Sequence, residues 1–106
     1  LLVAARVGAA VVEGYIDLLV RDPARGLLVG DYKTDEVPPG ADRDQRLASY
    51  GHQLAAYGVA LEQLLGEPIA GGVLVMCRTA GEAEQVEVAD WAALCQTVRA
   101  ELAHVG

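Results

Sequence analysis

The apolar positions of this chain follow a two-residue period first and a three-to-four-residue period later, and the switch lays out its elements. Residues 1–20, LLVAARVGAAVVEGYIDLLV, are rich in Val, Leu and Ile, with small residues between Val7 and Ala10. This pattern predicts two strands with a turn or bulge near Gly8. RDPARG, residues 21–26, carries Asp-Pro and a closing Gly, and LLVGDYK then resumes as a strand. A hairpin therefore joins a strand ending near Val20 to one starting near Leu27. TDEVPPGADRD, residues 34–44, is a polar loop with a Pro pair. Beyond it Leu47, Tyr50, Leu54, Tyr57, Leu61, Leu64 and Leu65 recur at helical intervals, with Asp42 or Asp44 as N-cap and Gly66 as stop. IAGGVLVMCR reads as an apolar strand and TAGEAEQVEV as a turn into an alternating, edge-like strand. Asp90 then caps an amphipathic helix through Trp91, Leu94, Val98 and Leu102, with Trp91 as its core anchor. The expected fold is α/β, a central mixed β-sheet flanked by helices, in one domain spanning residues 1–106.

Composition narrows what such a domain can do. The chain of 106 residues is 53% hydrophobic without phenylalanine, so its core is built from Leu, Val, Ile and Ala. No apolar run is long enough to span a membrane. A net charge of −7 argues against a nucleic-acid binder that works through a broad basic surface, but leaves room for a site where a divalent cation supplies positive charge. Cys77 and Cys95 are too few and too far apart for a structural zinc or a four-cysteine iron–sulfur cluster. They read as reduced core residues of an intracellular protein.

The candidate chemistry lies where the first strands meet GDYKTDE. Asp31 and Lys33, the chain's one lysine, share a strand face because side chains alternate with period two. Alternation across VVEGYIDLLV puts Glu13 and Asp17 on one face, and antiparallel register sets Asp17 beside Gly30 or Asp31. Three carboxylates and a lysine are thus expected to converge. Carboxylates so placed repel each other unless a cation bridges them, and oxygen ligands suit Mg²⁺ or Mn²⁺ with substrate phosphate. The chemistry implied is metal-assisted phosphodiester hydrolysis. On the long helix Tyr50, Gln53 and Tyr57 form one stripe, and Gln53 needs either a buried polar partner or an open site. Tyr50 is expected to pack on the core, and His52 and His104 to be solvated. Arg43 and Arg46 either meet a DNA backbone or pair with local acids.

EGYIDLL, VGDYKTD and YGHQLAAY together resemble the RecB/AddA-type nuclease domain of the PD-(D/E)XK superfamily. Its G-x-x-D strand, D-Y-K strand and Q-x-x-x-Y helix fall in order at Gly14 to Asp17, Asp31 to Lys33 and Gln53 to Tyr57. The resemblance implies a restriction-endonuclease-like core and a metal-dependent DNA nuclease of the exodeoxyribonuclease type. Asp17, Asp31 and the Tyr32 backbone carbonyl are then metal ligands. Lys33 serves the attacking water and the scissile phosphate, and Gln53 and Tyr57 position Lys33 or DNA. Beside the resemblance, Glu13 is either an ordinary exposed glutamate or an outer-shell residue, and Asp35 is a candidate for the outer shell, within reach of metal or DNA. The implied cofactor is Mg²⁺ or Mn²⁺ without an iron–sulfur cluster. The implied partners are DNA, helicase domains of the same parent chain and a second helicase-nuclease subunit, inside a bacterial cell and away from membranes. Family members contribute a further ligand from an upstream helix, which is expected to lie before Leu1. The rival reading is a catalytically silent nuclease-like module that binds DNA or a partner subunit.

Overall fold

Gly8, at φ +60°, turns the chain between β1 (Leu2–Val7) and β2 (Ala10–Tyr15), which pair antiparallel. Alternation puts Val3, Val7, Ala10 and Val12 on one buried face of this hairpin. The computed structural model describes residues 1–34, 38–78 and 81–104, and the remaining elements are β3 (Leu18–Asp22), β4 (Gly26–Lys33), α1 (Ala41–Leu65), β5 (Ile69–Met76), β6 (Glu84–Glu87) and α2 (Trp91–Ala103).

The apolar alternation of residues 11–20 does not form one strand. β2 ends at Tyr15, Asp17 sits in a bend, and β3 belongs to a different sheet. Ile16 is fully buried at the break, and its backbone exchanges hydrogen bonds with Leu1, 2.8 Å from Ile16 N–H and 3.0 Å to its carbonyl. Val12, Ile16 and Leu18 keep the same phase across the bend, so the sequence carries no sign of it.

β3, β4, β5 and β6 form a mixed sheet in that order. β3–β4 is the expected hairpin, closed by Asp22 Oδ1 accepting from the N–H groups of Ala24 and Arg25. Gly26 leaves that turn at φ +105°, a conformation open to glycine. β4 and β5 are parallel and need a crossover, which α1 supplies. β6 is an edge strand, as its alternation suggested.

α1 starts earlier than expected and is not capped by an aspartate. Its N-cap is Gly40, with no side-chain cap hydrogen bond, and Asp42 and Asp44 lie in the first turn. Carboxylates there still favour the positive end of the helix dipole. Gly66 ends the helix in the left-handed conformation at φ 67°, its N–H on the Glu62 carbonyl. Asp90 does occupy the N-cap position of α2, at φ 52°.

Leu27 and Val29 of β4 and Ile69, Gly72 and Leu74 of β5 turn the same sheet face toward both helices. Trp91 knits this layer together. Its ring lies so close to Gly58 of α1 and Gly72 of β5 that a Cβ on Gly58 would come within 2.8 Å of it. Its indole N–H donates to the Ile69 carbonyl at 3.0 Å, which satisfies the one polar atom of a buried ring. α1 also packs against the β1–β2 hairpin, so Val3, Ile16, Val29, Leu54, Val59, Leu74 and Val98 join one aliphatic core.

Candidate active site

β3 begins at Leu18 opposite Gly30, while β4 runs on to Lys33. Asp31, Tyr32 and Lys33 therefore have β5 on one side and no strand on the other. Asp17, the residue just before β3, fills the vacated place. Its Oδ2 accepts the Tyr32 N–H at 3.0 Å. The break after β2 thus frees the Asp17 side chain to do what a strand residue cannot, which is to meet a strand end from beyond its own ladder.

Alternation along β4 continues the core face from Leu27 and Val29 to Asp31 and Lys33, now at the open end of the layer. Lys33 Nζ lies 2.9 Å from Asp31 Oδ2, and the two side chains are only 20% and 17% exposed. At that burial the pair is not the weak, fully solvated kind. The ammonium also sits over the Tyr50 ring of α1, 4.4 Å from its centroid, a cation–π contact. Tyr50 packs on the core as expected, and this second role is one that helical spacing alone did not reveal.

Asp17 and Asp31 are hydrogen-bonded neighbours with opposite displacements. Asp17 is held below the ordinary carboxylate range, first by the hydrogen bond from Asp31 and then by the Tyr32 N–H. Asp31 is raised, first by burial and then by its bond with Asp17.

Gln53 is exposed, and its Nε2 donates to the Tyr57 hydroxyl at 3.1 Å, so this amide is not buried. Tyr57 in turn packs its hydroxyl end against Gly14 of β2, where a Cβ would fall 2.6 Å from its hydroxyl oxygen and closer still to the ring. A glycine inside a strand marks such an approach. This contact ties the three sequence motifs together, since Gly14, Asp17, Lys33 and the Tyr50–Tyr57 stripe now border one corner of the molecule.

Glu13 does not complete a three-carboxylate patch. It is exposed on β2 opposite Ala4, in the other sheet from Asp31, because the chain bends between it and Asp17. Among the described residues no third His, Cys, Asp or Glu gathers with others into a metal-binding group. Asp35 lies outside the described residues. His52 is not simply solvated, since its Nε2 meets Glu101 of α2 at 3.2 Å, while His104 is exposed. Cys77 and Cys95 are free thiols, and burial pushes Cys95 up to about 11. Among the described residues no helix is long and apolar enough to cross a membrane.

Similarity to known proteins identifies the family. Residues 2–105 match the model of the PD-(D/E)XK nuclease superfamily. The chain is 38% identical over 65 residues to an ATP-dependent helicase/nuclease subunit of Desulforamulus reducens, and 38% identical over 68 residues to its namesake in Levilactobacillus brevis. Each match covers 61% of this chain and 5% of the relative, so the chain spans only a small part of these proteins' length. No solved structure matches. The matched model runs through both helices and every strand from Leu2 onward, and the chain belongs to the PD-(D/E)XK nuclease superfamily.

Proposed function

We propose that this domain hydrolyses DNA phosphodiester bonds with a divalent cation, as the nuclease module of a helicase-nuclease that trims DNA ends during double-strand-break repair and recombination. The observation that carries this reading is the Asp17–Asp31–Lys33 cluster at the open end of β4. The helicase/nuclease names of the two relatives support the parent context. Helicase domains of the same chain would deliver the strand, and a further partner would be a second helicase-nuclease subunit.

The donor set suits Mg²⁺ or Mn²⁺. Two neighbouring carboxylates, Asp17 and Asp31, offer oxygens at the strand end, and such ions bind through one or two carboxylates plus substrate phosphate. The Tyr32 carbonyl adds a third oxygen, because it points to the same vacated side as the N–H that Asp17 accepts. Bound there, the cation supplies a lowered water pKa and positive charge for the phosphate.

The protein's own groups do the rest. Asp31 holds Lys33, and the Tyr50 face keeps the ammonium turned toward the opening, where it stabilises charge developing on a phosphate oxygen. As water adds to phosphorus the ester P–O bond breaks; a carboxylate of the pair would take the proton that water loses, and the leaving oxygen would take a proton from solvent at the open end of β4. The Gln53 amide carbonyl, left free by the bond to Tyr57, orients water or a base edge at the mouth.

Lys33→Ala in the parent chain tests the reading. Cleavage of linear DNA should fall at least ~10²-fold while Mn²⁺ binding and unwinding persist. Linear DNA should be cut in preference to covalently closed circles, as an exonuclease requires. Undiminished cleavage by Lys33→Ala would remove this site from the reaction.

A further inference from the structure

Register extends the site sideways. Lys33 pairs with Met76 of β5, and Met76 pairs with Glu84 of β6. Glu84 thus lies two strand spacings, about 10 Å, from Lys33 at the same end of the sheet. Glu84 is not an isolated carboxylate. Its Oε1 receives Arg43 Nη2 from the first turns of α1, and its two oxygens lie 3.3 and 3.5 Å from Arg78 Nη2, just beyond β5. Arg43 is also seven residues before Tyr50, two helical turns or about 10.5 Å along the same stripe. Strand register and helix rise therefore both set the Arg43–Glu84–Arg78 group about 10 Å of backbone away from the Lys33–Tyr50 contact.

Two guanidiniums on one carboxylate leave a net positive charge. Asp42 and Asp44 flank Arg43 in sequence but are turned about 100° to either side of it on the helix. In a chain of net charge −7, these two arginines lie near the one lysine. Guanidiniums suit this position because their planar fork can hold one carboxylate and still donate to a phosphate.

We propose that Arg43 and Arg78, set by Glu84, form a phosphate clamp that holds the substrate strand two or three nucleotides from the scissile bond, the distance given by ~3.4 Å of rise per nucleotide. The clamp rests on the nuclease reading and adds to it a second point of contact that sets the strand's direction across the end of β4 and β5. Arg78, 53% exposed, is the open jaw, and Arg43, 21% exposed, is the fixed one.

The test is the salt dependence of single-stranded oligonucleotide binding by the parent chain in EDTA, followed by fluorescence anisotropy, with cleavage rates measured separately in Mn²⁺. Arg78→Gln and Arg43→Gln should each lower the slope of log K against log salt by ~0.7–0.9, which amounts to about four- to fivefold weaker binding at ~0.15 M salt relative to ~1 M. Glu84→Gln should keep or steepen the slope and tighten binding, since it removes the one negative charge of the group. A purely structural strut predicts the reverse, with Glu84→Gln loosening binding as much as the arginine variants do and all three lowering the melting temperature together. If Arg43→Gln fails to fold, the exposed Arg78 decides. Slopes equal to wild type in a protein that cleaves DNA overturn the clamp alone, whereas a wild-type chain that neither binds nor cleaves DNA overturns the nuclease reading and the clamp with it.

Discussion

Replacing Gly14 by alanine probes the joint between the hairpin and the active-site helix. The added Cβ would lie 2.6 Å from the Tyr57 hydroxyl oxygen, and ordinary contact begins near 3.4 Å, so the hydroxyl must retreat by about 0.8 Å (3.4 less 2.6) and the ring, which lies closer, by more. That exceeds what the 3.1 Å bond from Gln53 can stretch and remain a hydrogen bond. Overpacking of this kind costs about 1–3 kcal/mol. Tyr57 is half-buried and can swing outward, which places the cost at the low end but sends Gln53's partner out of the site. Cleavage by the parent chain should therefore fall more than stability does. The sharper readout is a double-mutant cycle by urea denaturation. With Tyr57→Ala already in place the clash is gone, and alanine at position 14 of a strand should then stabilise by about 0.5–1 kcal/mol over glycine. The sign of the Gly14→Ala effect thus reverses between the two backgrounds. An equal loss in both would mean that Tyr57 is not what glycine accommodates.

Asp17→Asn keeps an oxygen that can accept from the Tyr32 N–H but loses the carboxylate charge a cation would need. Mn²⁺ should raise the wild-type midpoint by mass action and leave that variant's unchanged, and a like gain in both would remove Asp17 as a ligand. Cys95, with its thiol pushed up to about 11, should resist alkylation at pH 8 while half-buried Cys77 reacts. The raised folded-state value also means that Cys95 favours the fold fully below its ordinary value of 9.0, and that this contribution is lost as pH rises from about 9 through 11. Cys95→Ala should flatten that alkaline loss, and an unchanged alkaline melting profile would contradict it.

Much of this was legible in the sequence because it is local. The 21–26 turn sets the β3–β4 register, and that register alone carries Asp17 to Asp31, fourteen residues away in the chain. The period-two rule set Asp31 and Lys33 on one face, and Gly66 announced the end of α1. What escaped depends on contacts that no short window contains. The bend at Ile16–Asp17 leaves the apolar phase intact, so Glu13 seemed to share a strand face with Asp17 when the chain had already changed sheets. Lys33 over Tyr50 and Tyr57 on Gly14 come from packing a helix against strands, although a glycine inside a strand was a readable hint of the second. Arg43, Arg78 and Glu84 are separated by up to 41 residues and meet through sheet order and the packing of α1 on the sheet. Asp42 and Asp44 resemble N-caps because aspartates in the first turn and at the cap satisfy the same charge preference.

The claim on which the rest depends is that Asp17 and Asp31 bind a divalent cation together. Isothermal titration of Mn²⁺ into the domain and its Asp31→Ala variant measures that without DNA or motor domains. One site of measurable heat in the wild type, lost in the variant, is the predicted result. Equal heats in the two proteins, or none in either, would contradict the metal site and leave a nuclease fold that binds without cutting.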